Sequence, residues 1–298
     1  MDKVGIVTIT YNSESVISSF LECICKQTYN NFVLYIIDNA STDSTISIIK
    51  AVKNTSFKII ENSKNYGVAK ANNQGIIKAI SDKCDQILLL NNDVEFESNL
   101  VEILLKVQKK YNCSLITPKM MYYNQSNIIW YAGSWFNKYK GYLPLHRGQK
   151  ELDVGQFDKL IEVEYAPTCC LLIKKEVFED IGLMNERYFV YFDDTDFCYR
   201  ILKDGRHTIL YVPNVNFYHK VGSLTKSFNF TYRGDFFIKQ NTTNHVYFLK
   251  QIGGIFSYLF IVWLFFKNNI SFIINPQIKK DFATWRLINR SYFKGIIM

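Results

Sequence analysis

Short apolar runs alternate with amphipathic stretches along the first third of the chain. Val4 to Ile9 is a β-branched run that reads as a buried strand, Tyr11-Asn12-Ser13 as a turn with Ser13 a helix cap, and Val16, Phe20 and Cys23 as one helical face. The alternation repeats: Phe32 to Ile37 is strand-like, Ser44 to Val52 helix-like, Phe57 to Ile60 strand-like and Val68 to Ile80 helix-like. Gln86 to Leu90 then precedes a helix from about Ser98 to Lys110. This order predicts an α/β fold, a mostly parallel sheet with helices on both faces. Ligands of such sheets bind at the carboxyl ends of the strands. That singles out Thr10-Tyr11-Asn12, Asp38-Asn39-Ala40-Ser41 and Asn91-Asn92-Asp93.

Past residue 120 the pattern loosens into aromatic pieces, Trp130, Tyr131, Trp135 and Phe136, and an apolar run from Ala166 to Ile173. A helix from about Thr195 to Lys203 ends at Gly205, and His207 to Val212 and Val215 to Tyr218 are strand-like. The tail differs in kind. Ile255 to Phe266 is twelve consecutive residues, all apolar or aromatic except Ser257. Such a helix is about 18 Å long, short of the roughly 30 Å hydrocarbon core, so it is not expected to span a bilayer alone. In Ile278 to Phe293, Ile278, Phe282, Trp285 and Ile288 fall near one helical face, with Lys279, Lys280, Arg286 and Arg290 distributed around it. Basic residues beside Trp and Phe suit a helix lying on an anionic membrane surface. The same segment also suits packing on the main domain or a homodimer interface.

Composition adds bounds. With 298 residues the chain is expected to hold one main domain, residues 1–245, and a helical appendage, residues 246–298. A hydrophobic share of 48% against 21% charged supports a packed core and argues against wholesale disorder. The net charge of +8 suits an anionic partner. Nucleic acid is disfavoured as that partner, because the basic residues concentrate in an apolar, Trp-containing tail rather than in a reader module. The seven cysteines are odd in number and form no C-x-x-C pair, which argues against a zinc site or disulfide framework. Met1-Asp2-Lys3-Val4 enters a strand at once, without a signal-peptide pattern, so the chain is expected to stay in the cytoplasm.

Candidate chemistry gathers at the strand ends. Asp93 closes the apolar run Ile87 to Leu90, and in extended geometry Asn91 and Asp93 point the same way. Mg²⁺ or Mn²⁺ is usually held by one or two carboxylates plus substrate phosphates, which makes Asp93 the candidate metal ligand; Asn-Asn-Asp also suits an ordinary turn. Asp38 ends a strand with no charge in the six residues before it, and suits either an acceptor for a base N–H or ribose hydroxyl or an Asx turn with Ser41 and Thr42. At Asn65-Tyr66-Gly67, glycine permits close backbone approach, and Lys70 in the first helical turn is placed to face a phosphate.

Further on, Tyr191-Phe192-Asp193-Asp194-Thr195-Asp196 sets three carboxylates within four residues. Such crowding raises a pKa and suits proton transfer. Asp194 is the first candidate base and Asp193 the second, with helix N-terminal electrostatics as the structural alternative. His219 ends a strand-like run and is the candidate to complete a metal shell, against the alternative of a buried structural histidine.

Taken in order, these motifs resemble glycosyltransferase family 2, in particular its bacterial rhamnosyltransferase-like branch. Val7-Thr8-Ile9-Thr10-Tyr11-Asn12 resembles the opening strand, Ile37-Asp38-Asn39-Ala40-Ser41-Thr42-Asp43 the nucleoside-binding segment, and Asn65-Tyr66-Gly67-Val68-Ala69-Lys70-Ala71-Asn72-Asn73-Gln74-Gly75 the next signature. Leu90-Asn91-Asn92-Asp93 takes the place of the metal motif. Gly182-Leu183-Met184-Asn185-Glu186-Arg187-Tyr188-Phe189 and Tyr191-Phe192-Asp193-Asp194-Thr195-Asp196 continue the series, and Val212-Pro213 and Tyr218-His219 close it. The similarity covers roughly residues 3 to 245.

The resemblance implies a GT-A (Rossmann-like) fold and inverting transfer of a sugar from a nucleotide-diphosphate donor, dTDP-rhamnose or a UDP-hexose, to a glycan acceptor. A membrane-facing tail makes a lipid-linked glycan in bacterial surface polysaccharide assembly the expected acceptor, at the cytoplasmic face of the inner membrane. Thr10, Tyr11, Asn12, Asp38, Asn65, Gly67, Lys70, Asn72, Asn91 and Asn92 are then the expected donor contacts. Asp93 and His219 would hold Mn²⁺ or Mg²⁺, Asp194 would be the base with Asp193 beside it, and Asn185, Glu186 and Trp135 would meet the acceptor. Asn91 stands where many relatives carry Asp, and Asn185 replaces an Asp commonly found before Glu186. Those departures make a non-catalytic nucleotide-sugar binding or assembly subunit the alternative. A nicotinamide dehydrogenase is disfavoured, since no G-x-G-x-x-G follows the first strand.

Overall fold

The structure, a computed structural model, describes residues 1–54, 56–220, 234–274 and 282–298. The N-terminal alternation folds as β1 (Val4–Thr10), α1 (Glu14–Cys25), β2 (Phe32–Asp38), α2 (Thr45–Ala51), β3 (Phe57–Glu61), α3 (Val68–Ser81), β4 (Gln86–Leu90), β5 (Val94–Phe96) and α4 (Leu100–Tyr111). Then come β6 (Leu115–Pro118), β7 (Met120–Tyr122), β8 (Gln125–Tyr131), β9 (Ser134–Asn137), β10 (Leu143–His146), β11 (Ile161–Val163), β12 (Cys170–Lys174), α5 (Lys175–Ile181), α6 (Asp193–Asp204), β13 (Ile209–Val212) and β14 (Phe217–His219). The tail is α7 (Asp235–Ile252), α8 (Gly254–Ile274) and α9 (Phe282–Ile297).

Eight strands form the main sheet in the order β11-β13-β6-β12-β4-β1-β2-β3. β3, β2, β1 and β4 run parallel, and β12 is antiparallel to both β4 and β6. The expected mostly parallel sheet is therefore present, with β11 and β12 as the reversed strands. Every residue of β4 is buried, as a strand covered on both faces requires, and this explains its unbroken apolar run. α3 lies directly on β1: a Cβ on Gly75 would collide with the Val7 side chain, so that position takes no larger residue without a shift.

Register brings the predicted strand ends to one edge. Thr10 pairs with Asp38, and Leu90 pairs with Cys170, so the carboxyl ends of β1, β2 and β4 meet the start of β12. A second sheet, β5-β14-β7-β8, closes over that edge. In it His219 pairs with Val94, the residue after Asp93.

Three expectations are corrected. Asn91 and Asp93 do not share a face: β4 stops at Leu90, Asn91 is exposed, and the chain bends to bury Asp93. Ser13 sits at the N-cap of α1 but makes no side-chain cap bond, because its hydroxyl accepts from Tyr11 N and Asn92 Nδ2 instead. The apolar tail helix is longer than its twelve-residue core: α8 has 21 residues, about 31 Å at 1.5 Å per residue. It is long and apolar enough to cross a membrane by length and composition, with a mean hydropathy of 1.5 and little of it buried.

The helix continues past Lys267 because Asn269 is satisfied: its amide donates to Phe265 O at 2.8 Å and accepts from Trp285 Nε1 of α9 at 3.0 Å. Of the basic and apolar segment beginning at Ile278, the first four residues lie outside the described residues. α7 runs unbroken through residues 245 and 246.

Candidate active site

At the end of β4, Asn92 is a clamp: its buried amide donates to Ile9 O at 2.8 Å and to Ser13 Oγ at 2.9 Å, tying β4 to β1. Asp93 is 7% exposed. Its Oδ1 lies 3.4 Å from Nε2 of His219. Trp130 packs edge-on against the His219 ring, centroids 4.5 Å apart. Neighbouring ligands of an octahedral cation bound at 2.0–2.1 Å are about 3 Å apart, so the Asp93 and His219 atoms fit one divalent ion with a small adjustment. Among the described residues no cluster of three or more His, Cys, Asp or Glu makes a protein cage. The pair would thus leave most of the shell to substrate oxygens.

At the ends of β1 and β2, Asp38 is buried and heavily used. Its carboxylate accepts from Thr10 Oγ1 at 2.7 Å, Ser41 N at 2.8 Å and Ser41 Oγ at 2.5 Å. Asn12, at φ 49°, donates through its backbone to Ser41 Oγ and accepts from Thr42 N, so it ties the two strand ends together. Tyr11 lies between Thr10 and Asn12 in this bend, half-buried. Asn39 carries the order onward, donating to Gly67 O at 3.2 Å and accepting from Asn62 Nδ2 at 2.9 Å.

The start of α3 is docked on the segment leading to α6. Asn65 Oδ1 accepts from Gly67 N at 2.9 Å, an Asx turn. Gly67 has φ 85°, and a Cβ there would collide with the carbonyl of Phe189. The close backbone approach expected at this glycine is therefore made by the protein itself, and Val68 N donates to Phe189 O at 2.6 Å. Lys70 lies 3.5 Å from Glu186 and over the Tyr66 ring. Buried Asn72 contacts Met184 Sδ at 3.6 Å. Asn73 makes a two-way bond with the Met184 backbone, at 2.9 and 3.0 Å, and also donates to Glu186. Expected donor and acceptor residues are thus physically joined through Lys70, Asn73 and Glu186.

α6 begins at Asp193, two residues before its expected start, with Asp193, Asp194 and Asp196 in its first turn. Asp194 is half-buried. Its Oδ2 accepts from Tyr165 Oη at 2.7 Å, and its Oδ1 accepts from Thr195 N at 2.7 Å and Thr195 Oγ1 at 3.2 Å. Burial raises its pKa above the ordinary carboxylate value, and the bonds from Tyr165 and Thr195 hold the rise in check. Asp193 is raised well above that value by burial first and then by the Asp194 charge. Asp196 is paired with Arg200 at 2.9 Å, and Arg200 also donates to Ile181 O and Leu183 O.

One thiol links the two carboxylate sites. Cys169, where the chain enters β12, is buried; its pKa is pushed well up by burial first, then by Cys170, Asp93 and Asp194. Asn91 N donates to Cys169 O at 3.1 Å. Asp93 and Asp194 therefore both act electrostatically on the same thiol. The half-buried Tyr191 and the buried Phe192 have positive φ, 66° and 69°. For bulky residues such conformations cost on the order of 1–3 kcal/mol each.

Two expected acceptor residues are placed less directly. Trp135 contacts the guanidinium of Arg147, 5.3 Å from its ring centre, while the neighbouring Phe136 reaches Tyr165. Asn185 Nδ2 donates to Tyr247 Oη of α7 at 3.3 Å. The sequence assigned no separate role to Tyr165, Asn39 or Asn73. Asn39 and Asn73 lay inside family-like motifs, and Tyr165 in the family-like stretch Val163-Glu164-Tyr165, but nothing in the sequence marked their partners.

The sheet, its covering helices and the site at the strand ends define a GT-A fold. The model for Glycosyl transferase family 2 matches residues 5–182, and the chain belongs to that family. It is similar to the low-salt glycan biosynthesis hexosyltransferase Agl10 of Haloferax volcanii, 26% identical over 211 residues, with 69% of this chain and 63% of that protein covered. The dTDP-rhamnosyl transferase RfbF of Shigella flexneri is 21% identical, with 72% of this chain and 68% of that protein covered. The chain thus spans just under two thirds of the first relative's length and just over two thirds of the second's. Among solved structures, S. aureus TarS 1-349 in complex with UDP-GlcNAc superposes with a TM-score of 0.60 at 14% identity, covering 99% of this chain and 81% of that one.

Proposed function

We propose that the chain is an inverting glycosyltransferase using a nucleotide-diphosphate sugar, dTDP-rhamnose or a UDP-hexose, with a lipid-linked glycan as acceptor. The reading is supported by one observation: Asp93, at the end of β4, lies 3.4 Å from His219 as a candidate metal pair, while Asp194, the candidate base, is held by Tyr165 and Thr195 at the start of α6. Names of relatives support the donor class, one being a hexosyltransferase and another a dTDP-rhamnosyl transferase.

Asp93 and His219 would hold Mn²⁺ or Mg²⁺. Bound there, the ion would supply neutralisation of the charge that builds on a departing diphosphate. Asp194 takes the proton of the acceptor hydroxyl as its oxygen attacks C1 of the donor sugar; the C1–O bond to the nucleoside diphosphate breaks in the same in-line displacement. The raised pKa of Asp194 suits a group that must accept that proton. Thr10, Tyr11, Asn12 and Asp38 shape the nucleoside side. Gly67, Asn65, Lys70, Asn72, Asn91 and Asn92 line the approach to the phosphates, and Asn185, Glu186 and Trp135 are assigned to the acceptor.

The tail seats the enzyme on the cytoplasmic face of the membrane, where a lipid-linked acceptor is found. Support comes from α8, where Ile255, Leu259, Val262, Trp263 and Phe266 are all exposed. We assign residues 1–245 to catalysis and 246–298 to membrane association. Calorimetric titration with a panel of nucleotide sugars, in Mn²⁺, Mg²⁺ and chelator, tests the donor reading. Metal-dependent binding of one donor supports it, and no binding to any donor overturns it.

A further inference from the structure

The turn that presents Asp193 and Asp194 is strained at two successive residues. Tyr191 and Phe192, at φ 66° and 69°, occupy the left-handed region, which glycine and asparagine tolerate and bulky aromatics rarely adopt. Something outside the turn must hold it there. Asn244, on α7 and 1% exposed, does so: its Nδ2 donates to Val190 O at 2.8 Å and to Tyr191 O at 3.0 Å. Both amide hydrogens are spent on two successive carbonyls.

The same helix adds further grips, among them Phe237 against Tyr191 at 5.4 Å. The His245 ring stacks on Phe192 at 5.3 Å and its Nε2 bonds with Gly141 O at 2.8 Å. Phe248 packs on Phe192 at 5.7 Å, and Tyr247 on Tyr188 at 5.3 Å. The family match ends at residue 182, so both the strained turn and its hold lie in the part of the chain beyond it.

We infer that Asn244 is a positioning residue: its amide keeps the Tyr191–Phe192 turn left-handed, and the turn fixes where the Asp194 carboxylate meets the acceptor. This rests on the reading of Asp194 as the base. Without the amide, two half-buried carbonyls lose this donor, the turn relaxes toward negative φ, and the start of α6 shifts with it. A misplacement of about 1 Å at a reacting group costs on the order of 10²-fold in rate.

The test is Asn244→Ala in the full chain, read by donor titration, steady-state transfer and amide hydrogen exchange over residues 191–196. The expected result is unchanged donor affinity, kcat lower by about 10²-fold, and faster exchange confined to that segment. Adding Tyr191→Gly to Asn244→Ala should recover part of kcat, because glycine takes positive φ without a hold. Wild-type kcat and exchange in Asn244→Ala overturn the inference. So does a joint fall of donor affinity and kcat with no recovery by Tyr191→Gly, the mark of a merely structural residue. If the wild type transfers no sugar from any donor, the reading of Asp194 fails separately; faster exchange in Asn244→Ala then supports the hold and unchanged exchange overturns it.

Discussion

The phenol of Tyr165 donates to Oδ2 of Asp194 at 2.7 Å while the Thr195 backbone holds Oδ1 at the same distance, so both oxygens of the candidate base are occupied from within the protein. Burial raises the Asp194 pKa and the Tyr165 bond lowers it. Removing the phenol in Tyr165→Phe therefore raises it further. Since the base must be ionised, the acidic limb of kcat/KM moves to higher pH, with donor affinity unchanged. An unmoved limb in a folded, donor-binding variant contradicts the role.

Asp193 bears on stability with a definite sign. Its folded pKa lies above its unfolded one, chiefly through burial and then through Asp194. Wild-type stability is thus fullest below the unfolded value, near pH 4, and falls as pH rises through the folded pKa. Asp193→Asn removes that titration, so it raises Tm at neutral pH by on the order of a few degrees. The gap between the two melting curves closes as pH falls toward 4. A constant gap across that range argues against a raised pKa.

Gly67 tests the joint between the donor side and the base. Its φ of 85° and the approach of the Phe189 carbonyl leave no room for a methyl group. With ψ at 178° as well, Gly67→Ala should destabilise the fold by on the order of 1–3 kcal/mol from backbone conformation alone, and by more if Phe189 cannot move. Because Phe189 precedes the Asp194 turn, transfer should fall more steeply than donor affinity. Melting curves and the two kinetic constants, measured together, check both parts.

Much of this was legible in the sequence, for physical reasons. Strands buried on both faces leave continuous apolar runs, so β1, β2 and β4 and their polar ends stand out. Asp93 was visible just past the end of β4, His219 at the end of a later strand-like run and Asp194 within a cluster of three carboxylates. The role of Tyr165 was not, because its bond to Asp194 spans 29 residues and an aromatic in an irregular segment carries no periodic signal. The Asn73–Met184 bond spans 111 residues and is equally silent. The tail helix outruns the apolar run Ile255 to Phe266 because Asn269, past Lys267, finds partners on α9.

The tail makes its own prediction. Lys138 sits over the Phe256 ring at 4.6 Å and Lys267 over Trp263 at 4.8 Å, cations beside exposed aromatics on α8. The purified chain should float with anionic phospholipid vesicles, less so at high salt. Replacing Phe256, Trp263 and Phe266 with serine should weaken that binding by at least about tenfold. Equal flotation of the triple variant, in a vesicle sedimentation assay, removes α8 as the membrane contact.

The most direct measurement is single-turnover transfer by the wild type, Asp194→Asn and Asp93→Ala, with donor binding measured in parallel with and without Mn²⁺. The account predicts that Asp194→Asn abolishes transfer and still binds donor, whereas Asp93→Ala loses metal-dependent donor binding as well. Wild-type turnover by Asp194→Asn, or metal-dependent donor binding that survives in Asp93→Ala, contradicts it.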